Sequence, residues 1–136
     1  MSFFYEPVNL KQWDMFQKVK SAGHIETFLA TKEVQPGDIM LLHVGTQDKR
    51  YQSGIYAVGI VRTEQYILEN SPEEYCNHKN SVDVEIIAID YEKPYLTHEQ
   101  FSQFCKQFRC VHKIDPKYSK ALDEILRKNC IPFCKI

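Results

Sequence analysis

Five cysteines and five histidines are the side chains of this sequence best equipped for metal or redox chemistry. They include Cys76-x-His78, Cys110-x-His112 and Cys130-x-x-x-Cys134, with Cys105 completing the set. There is no C-x-x-C pair and no recognised finger spacing, so neither a metal nor a cofactor is expected. An odd cysteine count with no secretion signal points to free, reduced thiols. One histidine stands apart: His43 breaks the apolar run Ile39-Met40-Leu41-Leu42-His43-Val44 immediately before Gly45. Nucleophile elbows, Walker loops, H-E-x-x-H and G-x-G-x-x-G are all missing from the sequence, so no familiar catalytic motif announces an enzyme.

Charge is segregated along the chain. Residues 1–100 carry nine Lys/Arg against fifteen Asp/Glu, whereas residues 101–136 carry eight against three. Such asymmetry marks either a nucleic-acid-facing region or a solvated basic surface. The net charge of −1 argues against binding duplex nucleic acid by bulk charge alone, which needs a large cationic surplus.

These side chains have to be positioned by one ordinary domain spanning residues 1–136, because 136 residues is a typical domain length and no repeat, linker or low-complexity tract divides the chain. With 43% apolar and 26% charged residues, the composition suits a packed core and excludes a mainly disordered chain. The longest apolar stretch falls far short of the roughly 20 residues of a membrane span. The N-terminus lacks a basic region and a cleavage site, which makes the cytoplasm the expected compartment.

Phe3 to Tyr5 reads as a short aromatic strand. Asn9 as N-cap with Gln12 three residues on, and Val8 facing Trp13 as a staple, predict a helix over 10–20. Its apolar arc holds Met15, Phe16 and Val19, with Trp13 at the edge. Gln35-Pro36-Gly37-Asp38 has the residues of a type II turn. Strands are expected at 38–44 and 54–63, joined as a hairpin with a long charged tip, and at 82–91. Thr97-x-x-Gln100 is a capping box, and Phe101, Phe104, Cys105 and Phe108 follow at helical spacing, predicting a helix over 98–107. Asp115-Pro116 opens another over 116–128. A strand-rich centre flanked by helices gives an α+β class with a strongly curled sheet or partly open β-barrel.

Pro36-Gly37-Asp38, the strand through His43 and Gly45, and then Ser53-Gly54-Ile55-Tyr56-Ala57-Val58-Gly59-Ile60-Val61 resemble, in this order, the signature of EVE domains. These belong to the PUA-like superfamily with YTH and ASCH domains. The order of elements is similar over roughly the whole chain. One departure is that such chains usually carry a Trp near the end of the first strand, where this one has Phe3-Phe4-Tyr5 and its Trp at position 13.

The resemblance implies a partly open barrel whose pocket accepts a single, often modified, nucleobase from DNA or RNA. An unstacked base regains about 1–3 kcal/mol on an aromatic face, so the pocket needs rings and a few polar groups. Trp13, His43 and Tyr56 are the expected pocket residues, with Phe28 and Tyr5 as further walls. Each has a structural alternative: Trp13 as the helix staple, His43 satisfying a buried backbone group, the other three as core. Lys49, Arg50, Lys113, Lys117 and Lys120 are candidates for flanking phosphates, or ordinary surface cations. ASCH relatives include small amidohydrolases that use Lys, Thr and Glu, and Thr31-Lys32-Glu33 supplies those residue types. A nucleic-acid-binding module, such a hydrolase, and a metabolite- or protein-interaction module therefore stay open, as does action beside a separate effector protein.

Overall fold

The computed structural model describes residues 1–67, 69 and 78–129. The elements run β1 (Phe3–Val8), α1 (Met15–Lys18), β2 (Ile25–Leu29), β3 (Ile39–Val44), β4 (Gly54–Val61), β5 (Tyr66–Ile67), β6 (Asn80–Ile89), β7 (Leu96–Thr97), α2 (His98–Phe101), β8 (His112–Lys113), a 3₁₀ turn (Pro116–Tyr118) and α3 (Ser119–Lys128). One mixed sheet has the order β2-β6-β4-β3-β1-β8, with β5 on β6 and β7 on β4. β1 lies parallel to β3, and the neighbouring pairs along this order are otherwise antiparallel. The sheet curls into a half-barrel flanked by few helices, the α+β architecture expected.

Alternation along the strands builds two cores. Phe3, Tyr5, Ile39, Leu41 and Ile55 face Phe101, Phe104, Leu122 and Leu126 from the C-terminal third. Phe4, Met40, Leu42, Val61 and Val82 face Met15 and Val19 around α1 and Phe28 of β2. Two register shifts bend the sheet, one between Leu42 and His43 on β3, the other between Val58 and Gly59 on β4.

The turn before β3 has the expected chemistry. Gly37 has φ of +91°, and the Asp38 amide donates to the Gln35 carbonyl at 3.1 Å. The Asp38 carboxylate accepts from the amides of Ser2 and Gln35, both at 2.9 Å. The Pro-Gly-Asp segment therefore ties the start of β1 to β3.

Two expected helices are shorter than their periodicity suggested. Over 10–20, only Met15–Lys18 is helical. Asn9 does cap a turn, its side chain accepting from the Lys11 amide at 3.0 Å. Met15 and Val19, both fully buried, need just one helical turn to share a face, and Val19 is already extended. Over 98–107, α2 ends at Phe101 although its capping box is fully formed. The Ser102 hydroxyl donates to the Glu99 carbonyl at 2.7 Å and the Gln103 amide to the Gln100 carbonyl at 2.8 Å, taking acceptors that a continuing helix would use. The third helix forms as expected, Asp115 capping the amide of Lys117 at 3.0 Å. β2, β5, β7 and β8 have no counterpart in the sequence expectations.

Candidate functional site

A cavity of about 1040 Å³ opens between the two edges of the sheet, where β2 comes round towards β1 and the segment leading into β8. β1 contributes Tyr5, Glu6 and Val8, β2 contributes Glu26 to Leu29, and the segment before β8 contributes Phe108 to Val111. Trp13, His43 and His98 complete it, with Gln47 and Ser53 from the β3–β4 loop.

Tyr5 organises the aromatic side. It is buried, and its hydroxyl donates to the Phe108 carbonyl at 2.8 Å across 103 residues of chain. The rings of His43, Phe108 and His112 stand 5.4, 5.5 and 5.3 Å from its own. Burial pushes the hydroxyl well above the usual tyrosine range. Tyr5 is therefore a neutral donor that pins the 108–111 segment to the cavity.

His43 is 4% exposed, and its Nε2 lies 3.1 Å from Nδ1 of His98. Burial first, then the neighbouring His98, lower its pKa to about 4. It is neutral at neutral pH. Across the cavity, half-buried Trp13 meets Phe28 edge-on with ring centres 5.5 Å apart. Polar groups sit among these rings. Glu6 is fully buried, Glu26 bonds His24 at 2.8 Å, and the Thr27 hydroxyl donates to Asp83 at 3.1 Å.

Four of the five expected ring residues, Tyr5, Trp13, Phe28 and His43, thus line one cavity. Tyr56 does not, and the reason is a single extra residue. Leu42 pairs with Ala57, but the next pair is His43 with Ile55. In an unbroken register Tyr56 would oppose His43 on the same face; the bulge rotates it with Ala57 into the core around α1. There its hydroxyl donates to the Gln52 carbonyl at 2.6 Å and its ring meets Phe16 edge-on.

None of the five candidate phosphate contacts lines the cavity. Arg50 is occupied by Asp48 at 2.7 Å, which holds that half-buried carboxyl down near 2. The Lys117 ammonium sits over the Tyr118 ring. Lys120 belongs to a separate depression beside Gly37 and Asp38. The cation lining the cavity is Arg109, which no motif distinguished. His98 and Phe108 were also missed. The capping box places His98 at a helix start, but no spacing rule connects it to His43.

Thr31-Lys32-Glu33 stands outside the cavity as well, with Lys32 and Glu33 exposed. The segment that suggested a hydrolase does not converge on this site. Cys105 and Cys110 are free thiols. Burial raises the Cys105 pKa, and its sulfur lies 3.4 Å from Nε2 of His112. Among the described residues, no three His, Cys, Asp or Glu side chains gather as metal ligands. Cys76, Cys130 and Cys134 lie outside the described residues.

No family model matches the sequence, and neither does any curated protein. Solved structures do match the fold. A Pseudomonas syringae protein superposes with a TM-score of 0.63 at 11% identity, covering 91% of this chain and 99% of its own. A hypothetical protein from Leishmania major gives 0.61 at 10% identity, covering 95% and 97%. The ASCH protein of Zymomonas mobilis, solved as a single-substitution variant, gives 0.53 at 7% identity, covering 91% and 98%. The fold is PUA-like. Within that fold, the described residues include no helix long and apolar enough to cross a membrane.

Proposed function

We propose that the cavity receives one unstacked nucleobase, modified as the likeness to EVE domains suggests, from a DNA or RNA strand. One observation carries this: Tyr5, Trp13, Phe28 and His43, drawn from four separate segments, line the same space. Its volume of about 1040 Å³ sits at the top of the usual range for ligand sites, about 300–1,000 Å³. A base with its sugar fits, and stacking on the half-buried Trp13 would hold it there. Arg109 on the cavity wall offers a charge to a flanking phosphate.

The test is a titration of the purified protein with modified and unmodified nucleosides and short single-stranded oligonucleotides, following the fluorescence of its single tryptophan. Saturable quenching that favours a modified base supports base reading. Saturable binding of none of them would remove it.

A further inference from the structure

The cavity wall brings carboxylates and aromatic faces together, and the carboxylates lie deeper than the cation that shares the wall. Among the described residues lining it, the Asp, Glu, Lys and Arg side chains are Glu6 on β1, Glu26 on β2 and Arg109 before β8. Glu6 is 0% exposed and belongs to the depth of the cavity, whereas Arg109 is exposed at its rim. Water screens a rim charge and leaves a buried one strong. Glu26 stands on the opposite edge of the sheet, half-buried, with Oε1 at 2.8 Å from Nε2 of His24.

Alternation along β1 settles which rings accompany Glu6. Phe4, Glu6 and Val8 share one face of the strand. Phe4 and Val8 belong to the cluster that contains Phe28 and packs against Trp13, as does Leu42, the residue paired with Glu6 on β3. Tyr5, with the rings of His43 and Phe108, is on the other face. Glu6 is thus a carboxylate set into the apolar side of the cavity that carries Trp13 and Phe28. Those two rings meet at 89° with centres 5.5 Å apart, and both line the cavity. Aromatic faces at such a corner attract a cation, most strongly where water is excluded.

Hydrogen bonding alone would not sort bases here, because nearly every base offers an N–H to a carboxylate. Charge does. The ordinary bases are neutral at neutral pH, and so are bases methylated on carbon or on an exocyclic amine. Methylation at a ring nitrogen of adenine or cytosine makes the ring a cation. A carboxylate has about four lone-pair sites, so bonds within the protein leave it capacity for a ligand, and a buried carboxylate is best matched by an opposite charge. We propose that the cavity selects a cationic base, methylated at a ring nitrogen as in 1-methyladenosine or 3-methylcytidine, with Glu6 opposing its charge and the Trp13–Phe28 corner supplying the aromatic faces. The selection rests on the base-binding reading of the cavity and names the class of modification it takes.

Two isomeric pairs separate charge from size. 1-Methyladenosine is compared with the adenosine methylated on its exocyclic amine, and 3-methylcytidine with 5-methylcytidine; only the first member of each pair is a cation. In calorimetric titrations of the parent protein near pH 7, the cationic member should bind about tenfold tighter. Glu6→Gln keeps the shape and removes the charge. It should cut that preference by about threefold or more and leave affinity for the neutral member nearly unchanged, with melting curves confirming that the variant folds. Glu26→Gln, at the less buried carboxylate, should cut the preference by a smaller factor. Equal or tighter binding of the neutral isomers by the parent, a comparison that needs no variant, would overturn the selection and leave base binding in place. A folded Glu6→Gln protein that keeps the full preference would overturn it too. If none of the four nucleosides binds, the base-binding reading falls and the selection falls with it.

Discussion

His43 on β3 is paired with Ile55 on β4, one residue short of the Tyr56 that an even register would have set beside it. That offset decides which aromatic residues share the cavity. Tyr56→Phe should therefore leave nucleoside affinity unchanged. It should lower stability by about 1 kcal/mol, the net worth of the lost bond to the Gln52 carbonyl. Titration and thermal melting of the same sample check both halves.

Trp13→Ala gives the opposite pattern. Trp13 is half-buried and its ring contact is the edge of Phe28. Oligonucleotide binding should weaken by about 1–3 kcal/mol, one lost stack. If the folded variant binds with parental affinity while melting earlier, the tryptophan is a packing residue.

Acid should destabilise the protein through His43. Its pKa falls from 6.5 to about 4 on folding, so the unfolded chain binds the extra proton between those values. Stability is then fully present above about pH 6.5 and is lost as pH falls towards 4, by an amount on the order of 3 kcal/mol. Melting curves of the parent and of His43→Phe across this range isolate the contribution. The parent should lose more stability than the variant.

The salt dependence of oligonucleotide binding should follow Arg109 more than the hairpin tip. Arg109 lines the cavity, whereas Lys49 does not and Arg50 is paired with Asp48. Arg109→Gln should reduce the slope of log affinity against log salt by about one, and Lys49→Gln by less.

Gly54→Ala should disturb the site from behind. A Cβ there would run into the Leu96 carbonyl and come within 3.1 Å of Thr97 Cα, both backbone. Those residues form β7 and lead directly into His98. A loss of about 1–3 kcal/mol is expected from the overpacking. Chemical-shift changes in the His98 ring should accompany it.

The long strands were legible because burial on both faces of β3 and β4 leaves continuous apolar runs. The Pro-Gly-Asp turn was legible because positive φ at its third position admits few residues besides glycine. β2 was not, since Phe28 is its one buried residue and exposed Ile25 spoils the alternation. Phe101, Phe104 and Cys105 do share a core, as their spacing promised. Local side-chain bonds brought them together without a continuous helix. The cavity was legible in residue type more than in membership. A one-residue bulge removed Tyr56, and long-range pairing added His98 and Phe108, neither of which leaves a mark in local spacing.

β1 lies in the sheet between β3 and β8, and its Tyr5 is bonded to Phe108. During synthesis the first strand must therefore wait, edge exposed, until more than a hundred further residues have been made. The hairpin of β3 and β4 can form early, but the wall made by the 108–111 segment arrives near the end. Pairings of such separation are slow to form. Binding competence should be the last property a nascent chain acquires, and a ribosome-bound fragment ending before residue 108 should keep much of its sheet without a closed cavity.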